Sequence, residues 1–289
     1  RRTLPVWSGE PFRGQAEASA ASPGNREVVL FADTFNTYFE PENLRAAVKV
    51  LEAGGYRVAV AAPPPGGGSR PLCCGRTYLA AGMIDEARAE ARRTLEAMRP
   101  YLDRGVPVVG LEPSCLLGLR DELRALLPGD DARRLADAAL LFEELVVRET
   151  KAGRLALPLR AGRHSRALVH GHCHQKSFGV MPAVVEALRL VPGLAVETIA
   201  SGCCGMAGAF GFDARYVDVS FKMGEATLLP AVRAASGETL IVADGTSCRH
   251  QIRDGASREA VHVARVLADA TGRDTCAPRP DAGLPSVRC

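Results

Sequence analysis

The sequence lacks the features that several common protein classes require. Its 289 residues include 9 cysteines, but no two of them form Cys-x-x-Cys, the spacing from which zinc ribbons and ferredoxins usually take their ligands. No apolar run approaches the roughly 18 residues of a membrane-spanning helix, and no signal peptide follows Arg1. The net charge is only +3, with 4 lysines. These shortages argue against a zinc ribbon, a membrane-spanning protein and a nucleic-acid-binding protein.

What the cysteines do form is a repeated motif. Cys73-Cys74-Gly75 recurs as Cys203-Cys204-Gly205, and each copy is followed at a similar distance by a lone cysteine, Cys115 or Cys248. Adjacent cysteines do not easily bond to each other, because the small ring strains the disulfide. The pattern therefore indicates an internal duplication whose shared element is a set of thiols able to bind neighbouring metal atoms.

Alternating strand and helix signals predict an α/β fold. We expect two duplicated Rossmann-like repeats with parallel sheets, whose cysteines occupy the strand-end loops between them. The predicted segments are four: a linker or arm over 1–26, a first repeat over 27–152, a second over 153–270, and a disordered tail over 271–289 that contains the bystanders Cys276 and Cys289. Predicted strands cover 28–32, 56–60, 106–110, 167–170, 194–199 and 239–243, and predicted helices cover 41–53, 78–98, 131–150, 180–190, 213–229 and 258–270.

The two repeats offer unequal sets of metal ligands. The second supplies four thiols, the usual complement of an iron–sulfur cluster or a closed zinc site, from Cys173, Cys203, Cys204 and Cys248. The first supplies three, because residues 34–36 contain no cysteine where Cys173 would match. Its candidate ligands are Cys73, Cys74 and Cys115, which we rank as metal ligands below the four cysteines of the second repeat. His172 and His174, on either side of Cys173, are the weakest candidates.

Each of these residues also has a simpler interpretation. A buried cysteine is most often a small apolar residue, which applies to Cys115 and Cys248 taken singly. Histidines in loops commonly satisfy carbonyl groups, and the strand-end position of His170 indicates a structural role. Acidic residues at strand ends serve as oxygen ligands or cap helices, and Glu112 and Asp244 leave both options open.

At these motifs the sequence resembles a known family, the cysteine-rich CCG domain of heterodisulfide reductase subunits and of iron–sulfur subunits in glycolate, glycerol-3-phosphate and lactate oxidation. It is most similar to the carboxyl-terminal part of large FAD-linked oxidases that also carry ferredoxin-type clusters. The resemblance covers residues 27–270. It departs from the full pattern of five cysteines in each repeat, because Glu112 and Gly245 stand where the first cysteine of a Cys-x-x-Cys would be.

The resemblance implies an iron–sulfur module of the 4Fe-4S type, cubane or non-cubane, within an oxidoreductase. Electrons would come from FAD on a partner or upstream domain that oxidises a D-2-hydroxy acid such as lactate, glycolate or 2-hydroxyglutarate. Ferredoxin-type clusters, fused or as subunits, would be further partners. A chain that begins without methionine suits a piece of such a fused enzyme. Free cysteines suit the cytoplasm, with or without a peripheral position on the inner membrane face.

Two other functions fit the same residues. The paired cysteines suit a thiol–disulfide reductase if the amino terminus of a helix lowers the pKa of one of them. A docking domain that has lost its cluster, holding zinc or no metal, is the third option, and the depleted first repeat favours it for that half.

Overall fold

Two parallel sheets organise the described part of the chain, which in this computed structural model comprises residues 2–16, 26–63 and 70–272. The first sheet has the strand order β2-β1-β3-β4 and the second has the order β6-β5-β7. The strands are β1 (Arg26–Leu30), β2 (Tyr56–Val60), β3 (Val108–Gly110) and β4 (Ala139–Leu141) in the first sheet, then β5 (Arg166–Val169), β6 (Ala195–Thr198) and β7 (Leu240–Val242) in the second.

The helices follow the strands in the order that a Rossmann-like fold requires. Before β5 lie α1 (Thr34–Tyr38), α2 (Pro41–Ala53), α3 (Arg76–Ala80), α4 (Ile84–Leu102), α5 (Pro113–Arg120), α6 (Glu122–Leu126), α7 (Asp130–Ala138) and α8 (Phe142–Lys151). After it lie α9 (Cys173–Ser177), α10 (Met181–Arg189), α11 (Val217–Glu225), α12 (Leu228–Ala234), α13 (Thr246–Ala256) and α14 (Val263–Ala270). The expected α/β class with parallel sheets is confirmed.

The two sheets share one topology. In the first, β1 pairs with β2 from Arg26 opposite Tyr56 onward, and β3 runs parallel on its other side. In the second, β5 lies in the same way between β6 and β7. Where the first sheet adds β4, the second adds, among the described residues, only a parallel bridge between Val242 and Val261. The duplication indicated by the cysteine motifs therefore extends to the order of the strands.

Four predicted helices differ from the observed ones. The predicted helix over 131–150 is wrong, because residues 139–141 form β4 between α7 and α8. The helix over 258–270 begins only at Val263, since Val261 bridges to β7 and His262 caps the helix through its side chain. The helices over 78–98 and 213–229 are each divided in two by a turn, at residues 81–83 and 226–227. The helix over 41–53 is confirmed at both ends.

One hydrophobic core joins the two sheets. Alternate residues of β1 face opposite sides, so Val28 and Leu30 belong to a different cluster from Val29. The first of these clusters also contains Val169 from β5 and Leu267 from α14. Helices α2, α8, α10 and α14 all contribute to it and therefore form a layer between the sheets. Burial of this layer fixes how the two strand-end edges meet.

The ends of the chain fall partly outside the described residues. The predicted tail over 271–289 lies outside them from residue 273 onward, and this includes Cys276 and Cys289. Of the predicted arm, residues 2–16 are described and 17–25 are not. In the described part of the chain, no helix combines the length and the apolar character that crossing a bilayer demands.

Candidate metal centre

The cysteines lie at the carboxyl edges of the two sheets. Cys173 begins α9 after β5, and Cys248 lies in the first turn of α13 after β7. Cys203 and Cys204 follow β6 in the remaining loop. Because parallel strands end at the same edge, three separate loops bring four thiols together. The seven described cysteines are all free of disulfide bonds.

The four thiols of the second sheet contact one another in a continuous row. We call Cys173, Cys203, Cys204 and Cys248 the second thiol cluster. Cys173 lies against Cys203, Cys203 against Cys204, and Cys204 against Cys248. Cys204 and Cys248 are buried, whereas Cys173 and Cys203 are partly exposed. The cluster therefore has a dry inner end and a solvent-facing outer end.

The pKa shifts of the second thiol cluster alternate in direction along the row. Hydrogen bonds to neighbouring sulfurs raise the pKa of Cys173 and of Cys204, with burial adding to the effect. The same contacts hold the pKa of Cys203 and of Cys248 below the ordinary thiol value. Raised and lowered pKa values thus alternate, because four thiolates cannot be neighbours without a cation. A bound metal would remove that restriction by replacing the protons.

His170 joins the inner end of the second thiol cluster. One ligand atom from each of His170, Cys204 and Cys248 lies within 4.8 Å of the others, and all three residues are buried. The Nδ1 of His170 is 2.8 Å from the hydroxyl of Ser201. Its Nε2 is buried without a hydrogen-bond partner among the described residues. A structural role for His170 does not account for an unpartnered ring nitrogen beside two thiols, so His170 is a candidate ligand that the sequence pattern did not reveal.

A signal for His170 was present in the sequence. It is the first residue after β5, three positions before Cys173, so it belongs to the same strand-end edge as the cysteines. Its position after an apolar strand suggested a packing role, because the direction of a side chain at a strand end does not follow from the pattern alone.

The glycine after each cysteine pair has a left-handed backbone. Gly75 has φ +78° and Gly205 has φ +95°, values that side chains rarely allow. The turn lets the amide of Gly75 donate to Cys73 Sγ at 3.4 Å, and the amide of Gly205 donate to Cys203 Sγ at 3.3 Å. The left-handed turn at each glycine thus aims a backbone N–H group at the first sulfur of the pair.

The three cysteines of the first sheet also meet, and we call Cys73, Cys74 and Cys115 the first thiol cluster. Cys74 lies against both of the others. The pKa of Cys73 is raised chiefly by its interaction with Cys74, and the pKa of Cys74 is raised chiefly by its interaction with Cys115. The hydrogen bond to Cys74 lowers the pKa of Cys115, but burial and the nearby carboxylates outweigh it and give about 11. Unlike the second cluster, the first contains no thiol whose pKa is lowered.

The acidic residues beside the first thiol cluster serve as helix caps. Glu112 accepts hydrogen bonds from Ser114 at the start of α5, and its second oxygen accepts one from the amide of Thr246 at 2.9 Å. Asp33 caps α1 through Phe35 and Asn36. Asp244 likewise accepts from Val263 at the start of α14. The capping interpretation of Glu112 and Asp244 is therefore the one that the structure supports.

The remaining histidines have different surroundings. The ring of His172 covers Gly245, where an added Cβ would lie 2.4 Å from its Cδ2 and 3.3 Å from the sulfur of Cys248. His174 stacks on His172 at 5.1 Å, and its Nδ1 is buried without a partner in the described structure. Burial and nearby Arg76 lower the pKa of His174. His250 packs edge-on against Phe212.

The residues of the second thiol cluster suit an iron–sulfur cluster. Four sulfurs match the ligand number that such clusters require, and the unpartnered Nε2 of His170 offers a fifth donor. The chain's own N–H groups already point at the sulfurs, as cluster-binding loops require. The first thiol cluster has three sulfurs, and the carboxylates beside it are engaged as caps.

Comparison with known proteins points in the same direction. Residues 167–253 match the family model of a cysteine-rich domain designated CCG. The chain is 32% identical over 273 residues to one of the subunits of the anaerobic glycerol-3-phosphate dehydrogenase of Escherichia coli strain K12, and the match covers 93% of this chain and 66% of that protein.

Two further relatives are D-2-hydroxyglutarate dehydrogenases. The one from Pseudomonas putida is 30% identical over 85% of this chain, and the one from Escherichia coli K12 is 24% identical over 88% of it. The chain spans 23% and 24% of the length of these two proteins. It therefore corresponds to one part of larger relatives, and also to less than the full length of its glycerol-3-phosphate dehydrogenase relative.

Proposed function

Since this chain belongs to the family of proteins with the cysteine-rich CCG domain, we propose that it is an iron–sulfur electron-transfer module of a flavin-linked oxidoreductase. One observation carries the proposal: four thiols and an unpartnered histidine nitrogen converge from the strand-end loops of the second sheet. Cys173, Cys203, Cys204 and Cys248 would hold the cluster. When bound, a cluster of this kind accepts and passes on single electrons.

The chain's own residues prepare the site for that role. The amide of Gly205 donates to Cys203, and such N–H groups raise the potential of a cluster by stabilising the added negative charge. Burial of Cys204 and Cys248 keeps water from the inner sulfurs. The outer sulfurs, Cys173 and Cys203, are the partly exposed ones, so they offer the shortest route for an electron to or from a partner.

Substrate oxidation belongs, in this proposal, to a flavin domain outside the chain. The names of the relatives refer to glycerol 3-phosphate and to D-2-hydroxyglutarate. A D-2-hydroxy acid is the substrate class we propose for the partner, with FAD as its cofactor and ferredoxin-type clusters as further carriers. The module would work in the cytoplasm, either free or peripheral on the inner membrane face.

Residues 27–152 and 153–270 are the two repeats in this proposal, and they have unequal roles. The second repeat holds the cluster, of the 4Fe-4S type, cubane or non-cubane. The first thiol cluster supplies one sulfur fewer, and its three thiols all have raised pKa values. We assign the first repeat a supporting function that does not require metal.

Iron and acid-labile sulfide content, with EPR before and after dithionite, tests the proposal on protein prepared without oxygen. About four irons and four sulfides per chain are expected, lost in the variant Cys203→Ser/Cys204→Ser. The matched variant Cys73→Ser/Cys74→Ser should keep them. Loss of iron only in Cys73→Ser/Cys74→Ser would instead assign the cluster to the first repeat.

Folded protein without iron would reject the electron-transfer function. Zinc in its place would favour a docking domain. A metal-free protein with one thiol that alkylates much faster than the others would favour a thiol–disulfide reductase.

A further inference from the structure

The segment preceding the first sheet crosses both halves of the molecule. We call residues 2–12 the arm. At its far end Arg2 lies among α11 and α13. Further along, the amide of Ser8 donates to the carbonyl of Tyr38 at 2.7 Å, and the amide of Phe12 donates to the carbonyl of Thr37 at 2.9 Å. The arm is therefore attached to the first half at one end and to the second half at the other.

The side chain of Arg2 is enclosed. It has 2% of its surface exposed. Its guanidinium donates to the hydroxyl of Ser220 at 3.0 Å, to Oδ2 of Asp254 at 3.3 Å and to the amide oxygen of Gln251. One face covers the ring of Phe221, with 4.0 Å to the ring centroid. Such complete enclosure is rare for arginine, which is almost never fully buried without partners.

The groups that hold this guanidinium also adjoin the second thiol cluster. The carbonyl of Ser220 packs against Gly205, where an added Cβ would lie 2.2 Å from it. Gln251 lies on α13, one helical turn after Cys248. The hydroxyl of Ser220, which accepts from Arg2, lies 4.0 Å from the sulfur of Met206, two residues after Cys204. Arg2 thus brings a positive charge from the arm to the inner, buried end of the cluster.

That charge is only partly neutralised. Asp254 is the one carboxylate that pairs with Arg2 among the described residues, and Arg253 shares it at 3.6 Å. The Nε of Arg2 has no partner in the described structure. Two guanidinium groups therefore face one carboxylate, and only Arg253 is well exposed to screening solvent, at 42%. Buried charges act over longer distances than exposed ones.

We propose that Arg2 is a positioning residue that raises the midpoint potential of the cluster held by the second thiol cluster, an inference that rests on the proposed function. A fixed positive charge beside the site stabilises the form that has gained one electron, since net charge and solvent exposure set the potentials of iron–sulfur clusters. The arginine gains and loses no proton in the step. The arm thereby becomes part of the redox site, although it lies far from the cysteines in sequence.

An EPR-monitored redox titration tests the inference, with dithionite as the electron donor. Arg2→Gln removes the charge and should make reduction of the cluster about tenfold less favourable. For a one-electron couple this lowers the midpoint potential by about 59 mV. Arg2→Lys keeps the charge and should titrate close to the wild type. Arg253→Gln is the matched control. It removes the second guanidinium that contacts Asp254, which is the solvent-exposed one, and should shift the midpoint potential much less.

The outcomes separate this inference from the proposed function. Full iron content in Arg2→Gln with a wild-type potential overturns the inference and leaves the proposed function standing. Absence of iron in the wild type overturns both. If Arg2→Gln does not fold, Asp254→Asn replaces it, because removing the carboxylate leaves the guanidinium less neutralised. The midpoint potential of the cluster in Asp254→Asn should be higher than in the wild type, and an unchanged or lower midpoint potential overturns the inference.

Discussion

The carboxylate of Glu112 caps a helix that belongs to the other sheet, accepting a 2.9 Å hydrogen bond from the amide of Thr246. Its other oxygen accepts from the amide and hydroxyl of Ser114 on its own side. A single buried side chain, 3% exposed, therefore satisfies the first turns of α5 and α13, the two helices that carry Cys115 and Cys248.

Replacement of Glu112 should destabilise both cysteine-bearing helices. Glu112→Ala leaves two amides without an acceptor in a buried position and should lower the free energy of unfolding by about 2–4 kcal/mol. Glu112→Gln keeps one acceptor oxygen and should lose about half as much. Urea unfolding followed by circular dichroism measures both. Equal stability of Glu112→Ala and the wild type would show that water replaces the carboxylate without cost.

Acid sensitivity should depend on Glu40. Burial alone would raise its pKa, but the Arg249 guanidinium, which it pairs with, outweighs burial and brings the pKa down from 4.5 to about 2. A lowered pKa stabilises the fold above pH 4.5, and that contribution disappears as the pH falls towards 2. Unfolding free energies of the wild type should therefore drop by about 3 kcal/mol more than those of Glu40→Gln between pH 5 and pH 2.

The control for this experiment is Glu42→Gln, two residues further along in the first turn of α2, whose side chain is 49% exposed and whose carboxylate contacts Arg265 at 3.5 Å. Parallel acid curves for Glu40→Gln and the wild type would contradict the prediction. The Glu40–Arg249 pair also ties α13 to the first half of the molecule, so loss of this contribution at low pH should release iron as well.

Gly205 should tolerate no side chain. Its φ of +95° costs any other residue about 1–2 kcal/mol, and a Cβ would lie 2.2 Å from the carbonyl oxygen of Ser220. Gly205→Ala should therefore lower the free energy of unfolding by at least about 3 kcal/mol and reduce iron content. Gly202→Ala is the control, since an added Cβ there meets no atom within 4 Å. Thermal unfolding measures both variants, and coinciding melting curves would contradict the prediction.

Loss of His170 should weaken metal retention without unfolding the protein. His170→Ala removes the unpartnered Nε2 beside Cys204 and Cys248, and a change in a ligand or its support typically costs 10–100-fold in metal affinity. We therefore expect iron to pass from His170→Ala to a chelator about 10–100-fold faster than from the wild type. His164→Ala, at a partly exposed histidine that contacts the carbonyl of Glu238, should release iron at the wild-type rate. Identical release from both variants would exclude His170 from the site.

Much of the fold could be predicted because strands and helices alternate clearly. The exception at 139–141 has a physical cause: Ala138 to Phe142 is a continuous apolar run, and such a run fits a buried strand as well as the inner side of a helix. Pairing with β3 decides in favour of the strand. Likewise, Val261 joins β7 through a single bridge, a tertiary contact that helix propensity does not reveal.

The candidate site was predictable in its cysteines but not in its surroundings. The motif Cys-Cys-Gly identifies sulfur donors through spacing alone. The role of Arg2 depends instead on a contact between residues 218 positions apart, and polar composition suggested only an arm for that segment. His170 depends on the direction of one ring at a strand end. Local sequence patterns carry neither kind of information.

The hydrophobic layer between the sheets has a consequence for how such a molecule arises. Helices α2 and α14, and likewise α8 and α10, cover each other across the layer, and each pair takes one helix from each half. A single half would expose this apolar face and would need a second copy of itself as a lid. The chain thus has the build of a homodimer linked into one polypeptide, whose two halves need not match at every position: the first supplies three of the described thiols and the second supplies four.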